Sequence, residues 1–343
     1  MQMNYINALC EEMKRNSDAY KDYFVDTVFV GGGTPSILNP DLTKKFLDCL
    51  YSNYNIDSDS EISMESNPGT LTKEKARAYK ELGINRISLG LQSTVDSELK
   101  VLGRIHTYNE FLESFMILRD EGFENINVDL MNGIPEQTFE TFSKGLEIIK
   151  ELNPEHISIY SLILEEGTPF YGMNLMLPNE DEERQMVHSI PYILGTDYHQ
   201  YEISNYAKTG FECRHNIKYW KRDEYLGFGL SAASLVNETR FKNTDDIKVY
   251  LDNSDNKNVY TEYEVLNTDE QMSEFLFLGL RMNEGISISE FENLFGKSPF
   301  DVYGEKIALH IKEELLENKD NSLFLTEKGR DLANYVWSDF LGD

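Results

Sequence analysis

The run Thr27-Val28-Phe29-Val30 breaks into Gly31-Gly32-Gly33-Thr34-Pro35-Ser36, and this junction limits what the chain can be. The β-branched and aromatic run reads as a buried parallel strand, with a helix expected to start near Asn39. Glycines at the carboxyl end of a strand allow positive φ and present no Cβ. Backbone N–H groups can then lie against a polar or anionic ligand. In folds of alternating strands and helices, ligands bind at that end. The same residues also suit a tight strand-to-helix turn that needs glycine and nothing more.

A strand-then-helix rhythm repeats from residue 26 onward. Strands are predicted at 27–30, 62–65, 86–90, 126–130 and 157–162, and helices at 41–51, 73–82, 109–121 and 137–152. This is the pattern of successive βαβ units and a parallel sheet. An amphipathic helix over 4–17, with Tyr5, Ile6, Leu9, Cys10 and Met13 on one face, precedes the first strand. In an α/β unit a strand would be expected before it.

Each strand ends in residues that core packing does not demand. Glu65-Ser66-Asn67-Pro68-Gly69, Gly90-Leu91-Gln92-Ser93, Leu102-Gly103-Arg104-Ile105-His106 and Asp129-Leu130-Met131-Asn132-Gly133 follow one another at these positions. Glu65, Gln92, Arg104 and Asp129 would converge at the carboxyl end of one sheet. A glutamate, an amide, a guanidinium and an aspartate there could grip an amino acid head group and a ribose. Each taken singly also suits a loop cap or an ion pair.

The 343 residues suit one large barrel with an appended small domain. With 60 acids against 32 bases the net charge is −28, which argues against nucleic acid or an anionic membrane surface as partner. No stretch has the length and apolarity of a membrane span, and no signal peptide precedes the first helix, so a cytoplasmic protein is expected. Cys10, Cys49 and Cys213 are too widely spaced for a disulfide framework or a local zinc or iron–sulfur motif. Cys10 and Cys49 both read as core residues, and no metal site is expected from this chain.

An acidic loop over 178–183 and a helix to about 195 are followed by Cys213-Arg214-His215-Asn216-Ile217-Lys218-Tyr219-Trp220. His215 beside Cys213 makes a poor zinc site. An imidazole flanked by Tyr219 and Trp220 reads either as an axial haem ligand or as a hydrogen-bonded core histidine. The Asp/Asn-rich span 243–258 reads as a linker. Beyond it, helices are predicted at 269–282, 287–295 and 299–316, a strand at 323–325 and a last helix at 326–340. This order resembles a winged helix. With 18 acids and 7 bases in 261–343, DNA binding is not expected there. The expected division is a partial barrel over 1–195, a post-barrel segment with the histidine motif and linker over 196–260, and a helical domain over 261–343.

Taken together and in this order, the segments resemble the radical-SAM coproporphyrinogen-III-oxidase-like family, most closely its haem chaperone branch. The resemblance rests on Val30-Gly-Gly-Gly-Thr-Pro-Ser36, Glu65-Ser-Asn-Pro-Gly69, Arg86-Ile-Ser-Leu-Gly-Leu-Gln-Ser93, Leu102-Gly-Arg-Ile-His106, Asn127-Val-Asp-Leu-Met-Asn-Gly-Ile-Pro135, Tyr201-Glu-Ile-Ser-Asn205 and Leu325-Thr-Glu-Lys-Gly329. It implies an α/β fold, a partial TIM-like (β/α)6 barrel lacking its first strand, with a mainly helical, winged-helix-like C-terminal domain. It also implies that Gly32, Gly33 and Thr34 contact the methionine moiety of S-adenosylmethionine. Glu65, Gln92, Arg104 and Asp129 match the family's other ligand-binding positions.

His215-Asn216-Ile217-Lys218-Tyr219-Trp220 matches the His-Asn-x-x-Tyr-Trp motif of the haem chaperones, where the histidine is the implied haem ligand. The implied function is to bind haem and pass it to an apo-haemoprotein. Alternatives are oxygen-independent coproporphyrinogen III oxidation and a non-catalytic remnant that keeps only the fold. The family's Cys-x3-Cys-x2-Cys loop, which binds a [4Fe–4S] cluster, would lie before the first helix, and no such motif stands in this chain. As written, the chain is expected neither to hold the cluster nor to cleave S-adenosylmethionine reductively. A start codon placed too late accounts for this with the ligand-site residues intact; a truncated copy is the other account.

Overall fold

The computed structural model describes residues 1–168, 170–173 and 175–341. The chain opens with helix α1 (Gln2–Ser17), strand β1 (Phe24–Val30), helix α2 (Pro40–Asn53) and strand β2 (Asn55–Ser66). Helix α3 (Lys73–Glu81), β3 (Arg86–Gln92), α4 (Asp96–Val101), α5 (Tyr108–Asp120), β4 (Ile126–Asn132), α6 (Phe139–Leu152) and β5 (His156–Ser161) continue the alternation. Helix α7 (Glu180–Leu194) then leads to β6 (His199–Glu202), β7 (Asn205–Ala207) and α8 (Arg214–Trp220). The predicted strands and helices of this region all exist. Short α4 was not anticipated, and the acidic stretch expected as a loop over 178–183 is already helical from Glu180.

Local chemistry explains where these helices begin. The Thr72 hydroxyl accepts from the Lys75 N–H at the start of α3, and reciprocal capping boxes pair Thr107 with Glu110 and Thr138 with Thr141. Each cap satisfies N–H groups that have no partner inside the helix.

Packing divides the chain into two compact units. One comprises Thr27–Pro40 and Ser60–Cys213; the other comprises Met1–Asp26, Asp41–Asp59 and Arg214–Asp343. This division cuts across the sequential blocks 1–195, 196–260 and 261–343, because β1 and β2 each pass from one unit to the other.

The first unit is built on a seven-stranded sheet in the order β1-β2-β3-β4-β5-β7-β6. The β2–β3, β3–β4 and β4–β5 pairs are parallel, whereas β7 pairs antiparallel with both β5 and β6. All seven residues of β3 are buried, as a central strand covered on both faces requires. Apolar positions there alternate with polar ones: Ser63, Ser88, Asn127, His156 and Ser158 are all buried. Such a polar row in the middle of a sheet must satisfy its own hydrogen bonds.

In the second unit the span expected as a linker is packed structure. Strand β8 (Ala233–Val236) precedes it, and it runs from the last residue of β9 (Thr239–Asn243) through helix α9 (Ile247–Asn253) to the residues just before β10 (Tyr260–Val265). The Asp246 carboxylate caps α9, and Tyr250 on that helix is fully buried. Buried Glu12 of α1 accepts hydrogen bonds from Gly229 N–H at 2.9 Å, the Tyr250 hydroxyl at 2.6 Å and the Asn243 amide at 2.6 Å. The Asp and Asn residues that suggested a linker are therefore caps and donors, which is why composition misread them.

The C-terminal region comprises α10 (Thr268–Gly279), β11 (Ile286–Ser287), α11 (Ile288–Phe295), α12 (Pro299–Lys312), β12 (Leu316–Lys319), β13 (Ser322–Leu325), α13 (Glu327–Asp331) and α14 (Ala333–Phe340). The small sheet β11-β13-β12 forms the hairpin expected of a winged-helix order. The single last helix predicted over 326–340 is instead two, broken at Leu332 (φ −116°, ψ 26°). Positions 342 and 343 of the expected domain lie outside the described residues.

Candidate binding sites at the strand ends and on α8

The carboxyl end of β1 delivers the glycines. Gly32 and Gly33 have φ of +84° and +147°, and a Cβ built on either would meet no atom within 4 Å. These glycines border open space, so they are required by backbone conformation and leave a cradle that a ligand can enter. Gly31 differs: a Cβ there would stand 2.9 Å from the Glu65 carboxyl carbon. The Gly32 N–H donates to Glu65 Oε2 at 3.2 Å, joining the loop after β1 to the end of β2. Thr34 is held as well, its hydroxyl accepting from the Asn67 amide at 2.9 Å.

Gln92 ends β3 next to a bulge in its pairing with β4, where Gly90 faces Asp129 and Gln92 faces Leu130. Its φ is +77°, and this left-handed conformation of a buried non-glycine residue is a cost that active and ligand sites commonly carry. Its amide lies 3.3 Å from where a Gly90 Cβ would stand. Arg104 sits half-buried in the turn after α4. That turn is fixed to β3 by a 3.1 Å contact between His106 Nε2 and the Leu91 carbonyl. Glu65, Gln92 and Asp129 therefore stand at or near the ends of three adjacent strands, with Arg104 on the neighbouring turn.

Asp129 is gripped from its own unit. Asn127 Nδ2 donates to its Oδ1 at 2.7 Å, and the Ser88 hydroxyl donates to its Oδ2 at 3.1 Å. Burial raises the Asp129 pKa against these donors. Burial also raises that of Glu65, with the Asp129 charge adding to it. Two carboxyl groups held above their ordinary proton affinity form a site that a cationic group would relieve. Beside them, backbone N–H groups and an amide can meet a carboxylate or hydroxyls. A zwitterionic, hydroxyl-bearing ligand fits this donor set.

His215 lies in the other unit, on α8, a short helix with no buried residue. Its Nε2 is 2.8 Å from the Tyr219 hydroxyl, and the two rings meet edge-on at 5.0 Å. Tyr219 in turn meets Tyr225 at 4.7 Å and 90°, extending an aromatic ladder from the imidazole. The far end of α8 is anchored by Arg281, whose guanidinium lies 4.3 Å over the Trp220 ring and 5.1 Å from that of Trp337. Of the two readings of His215, the hydrogen-bonded core histidine is matched in its hydrogen bond to Tyr219 but not in its burial, which is only partial.

The cysteines do not make an iron–sulfur ligand set. The Cys49 thiol donates to the Cys10 carbonyl at 3.5 Å, and Cys213 is buried with its thiol 3.6 Å from Glu61 Oε1. Cys49 is half-buried where a core position was expected. Burial, with Cys49 beside it, pushes the Cys10 thiol up to about 12, which disfavours the thiolate a metal needs. Among the described residues no group of three or more His, Cys, Asp or Glu could hold a metal ion.

Asn67, Ser88, Asn127, His156 and Tyr201 are not among the site residues expected from sequence, although all but His156 stand in the segments quoted above. The signal for most of them was present: polar residues at every second position of strands whose neighbours are uniformly apolar.

The chain is similar to known proteins over nearly its whole length. Residues 4–149 match the radical SAM superfamily, and residues 266–332 match the HemN C-terminal domain. The chain is 36% identical to a Bacillus subtilis (strain 168) protein named heme chaperone HemW, over 99% of this chain and 91% of that protein. It is also 36% identical to the Lactococcus lactis protein of the same name, over 99% and 89%. Among solved structures, Escherichia coli coproporphyrinogen III oxidase (HemN), a radical SAM enzyme, superposes with a TM-score of 0.86 at 22% identity. That match covers 99% of this chain and 83% of the oxidase, so the fold is the radical SAM partial barrel with a helical C-terminal region. With these relatives covered over nearly their full length, the chain belongs to the HemW family within the radical SAM superfamily.

Proposed function

We propose that this protein is a cytoplasmic haem chaperone that holds haem through His215 and delivers it to an apo-haemoprotein. The observation that carries this reading is α8, which presents His215 half-exposed at the head of the Tyr219–Tyr225 ladder. A neutral imidazole is a ligand for haem iron. Aromatic faces beside it suit the apolar macrocycle. A single imidazole on a half-exposed helix is exchangeable, so an acceptor's own ligand can replace it; a buried ligand would retain its cargo. Kinship with proteins named heme chaperones supports the same reading.

The strand-end site is proposed to bind S-adenosylmethionine. Gly32, Gly33 and Thr34 would hold its methionine moiety, and Glu65, Gln92, Arg104 and Asp129 would complete the contacts. Bound there, S-adenosylmethionine supplies a cationic ammonium and sulfonium, which the raised carboxylates favour, and a ribose diol that a carboxylate can accept from. Its binding would support or regulate haem transfer. No step is assigned to a [4Fe–4S] cluster, because the residues present do not fit one.

The test is a haem titration followed by Soret absorbance, with wild type beside His215→Ala. Wild type should show a saturable shift, and the variant should bind at least tenfold more weakly. No shift in wild type overturns the chaperone reading; equal binding by the variant removes His215 from it.

A further inference from the structure

Behind Asp129 runs a chain of hydrogen bonds whose direction can be worked out from its two ends. At one end the Cys213 backbone N–H, which can only donate, points to the Tyr201 hydroxyl oxygen at 3.2 Å. Its hydroxyl lies 2.8 Å from His156 Nε2. At the far end the Asp129 carboxylate takes the Asn127 Nδ2 donor, which turns Asn127 Oδ1 to His156; the imidazole proton is then on Nδ1, and Nε2 accepts from Tyr201. Nδ1 lies 2.6 Å from Asn127 Oδ1, which also accepts from the Ser158 hydroxyl at 3.1 Å. With its oxygen held by two donors, the Asn127 amide is fixed with Nδ2 toward Asp129 Oδ1 at 2.7 Å and Ser88 Oγ at 2.7 Å. The other end is the carboxylate, which when charged can only accept.

Every donor in this series points toward Asp129. His156 is fully buried, and burial, reinforced by the nearby Arg86 charge, holds its pKa well below the ordinary value, so it stays neutral with one tautomer. Aligned bonds of this kind polarise one another. The weak point is Asn127. Its amide is nearly symmetric in shape, and a flip would turn a carbonyl oxygen toward Asp129. Nothing in the backbone prevents the flip; the His156 Nδ1 proton does, together with the Ser158 hydroxyl on the same oxygen and the carboxylate facing the nitrogen.

We propose that His156 and Tyr201 are positioning residues of the strand-end site. They lock the Asn127 amide so that Asp129 stays a correctly aimed acceptor for the hydroxyls of an adenosyl ligand. This rests on the reading of Asp129 as a ligand-binding residue. Neither His156 nor Tyr201 touches the ligand in this account; each acts through Asn127.

The test uses full-length protein, S-adenosylmethionine as the calorimetric probe, and ¹⁵N NMR of the histidine rings. Wild type, Tyr201→Phe and Asp129→Asn are compared, both substitutions being close in shape to the original. Wild type should show His156 protonated at Nδ1. Tyr201→Phe removes the donor to Nε2, so the Nε2 resonance should move to that of an unbonded ring nitrogen while the proton stays on Nδ1, and affinity should fall about tenfold. Asp129→Asn should fall at least as far. A drop in melting temperature for Tyr201→Phe with unchanged affinity overturns the positioning role, while the loss in Asp129→Asn leaves the site reading standing. Unchanged affinity in Asp129→Asn, or no binding by wild type, overturns the site reading and the positioning role with it. His156 protonated at Nε2 in wild type refutes the direction of the chain.

Discussion

The strand-end site and the His215 helix solve different problems with different materials. Around Asp129, side chains from three strands form a buried network in which each polar atom fixes the next. Around His215, a helix of seven residues with no buried member carries a histidine and a tyrosine four residues apart. The first arrangement resists change because any loss strands a buried polar partner. The second is cheap to alter and open to exchange. A site meant to hold a regulatory ligand in one pose suits the first design, and a site meant to release cargo suits the second.

Substitutions should expose this contrast. The largest effect is expected at Asn127→Ala, which strands Asp129, His156 and Ser88 in the interior. It should lower unfolding free energy by about 3 kcal/mol in chemical denaturation. Gly32→Ala forces a side chain into φ +84° without any clash. Its cost should be about 1–2 kcal/mol of backbone strain in the same assay, with weakened S-adenosylmethionine binding.

Glu65→Gln should act through pH. Burial, and then the charge of Asp129, raise the Glu65 pKa above its ordinary 4.5. The folded state therefore binds protons that the unfolded state releases as pH rises. The contribution of Glu65 to stability is fully present below about 4.5 and is lost as pH rises through the raised value. Stability curves measured from pH 4.5 to 7 should show wild type losing ground to Glu65→Gln across that window and then running parallel. A constant difference contradicts the assignment. At the small end, Tyr219→Phe removes one partly exposed hydrogen bond on α8 and should cost only about 0.5–1 kcal/mol. A loss as large as that of Asn127→Ala would erase the contrast between the two regions.

How far the sequence could be read follows the same line. Strand ends were legible because Glu65, Gln92 and Asp129 are polar where packing asks for apolar residues, and His215 because its motif is local. The network behind Asp129 was not, because it joins residues from β3, β4, β5 and β6 whose meeting depends on strand order. Whether Asn127 points its nitrogen or its oxygen at Asp129 is invisible to any linear pattern. Composition failed over 243–258, where Asp246 caps a helix and Asn243 reaches the buried Glu12. Short α4 escaped because six residues carry too little periodicity to separate a helical turn from a loop.

The central claim is that the two regions hold two ligands, each with its own key residue. The most direct test titrates His215→Ala and Asp129→Asn with both haem and S-adenosylmethionine. The account predicts a crossed result: His215→Ala loses haem and keeps S-adenosylmethionine, and Asp129→Asn does the reverse. If either variant instead retains the ligand assigned to it, or both lose the same one, the assignment of ligands to regions is contradicted.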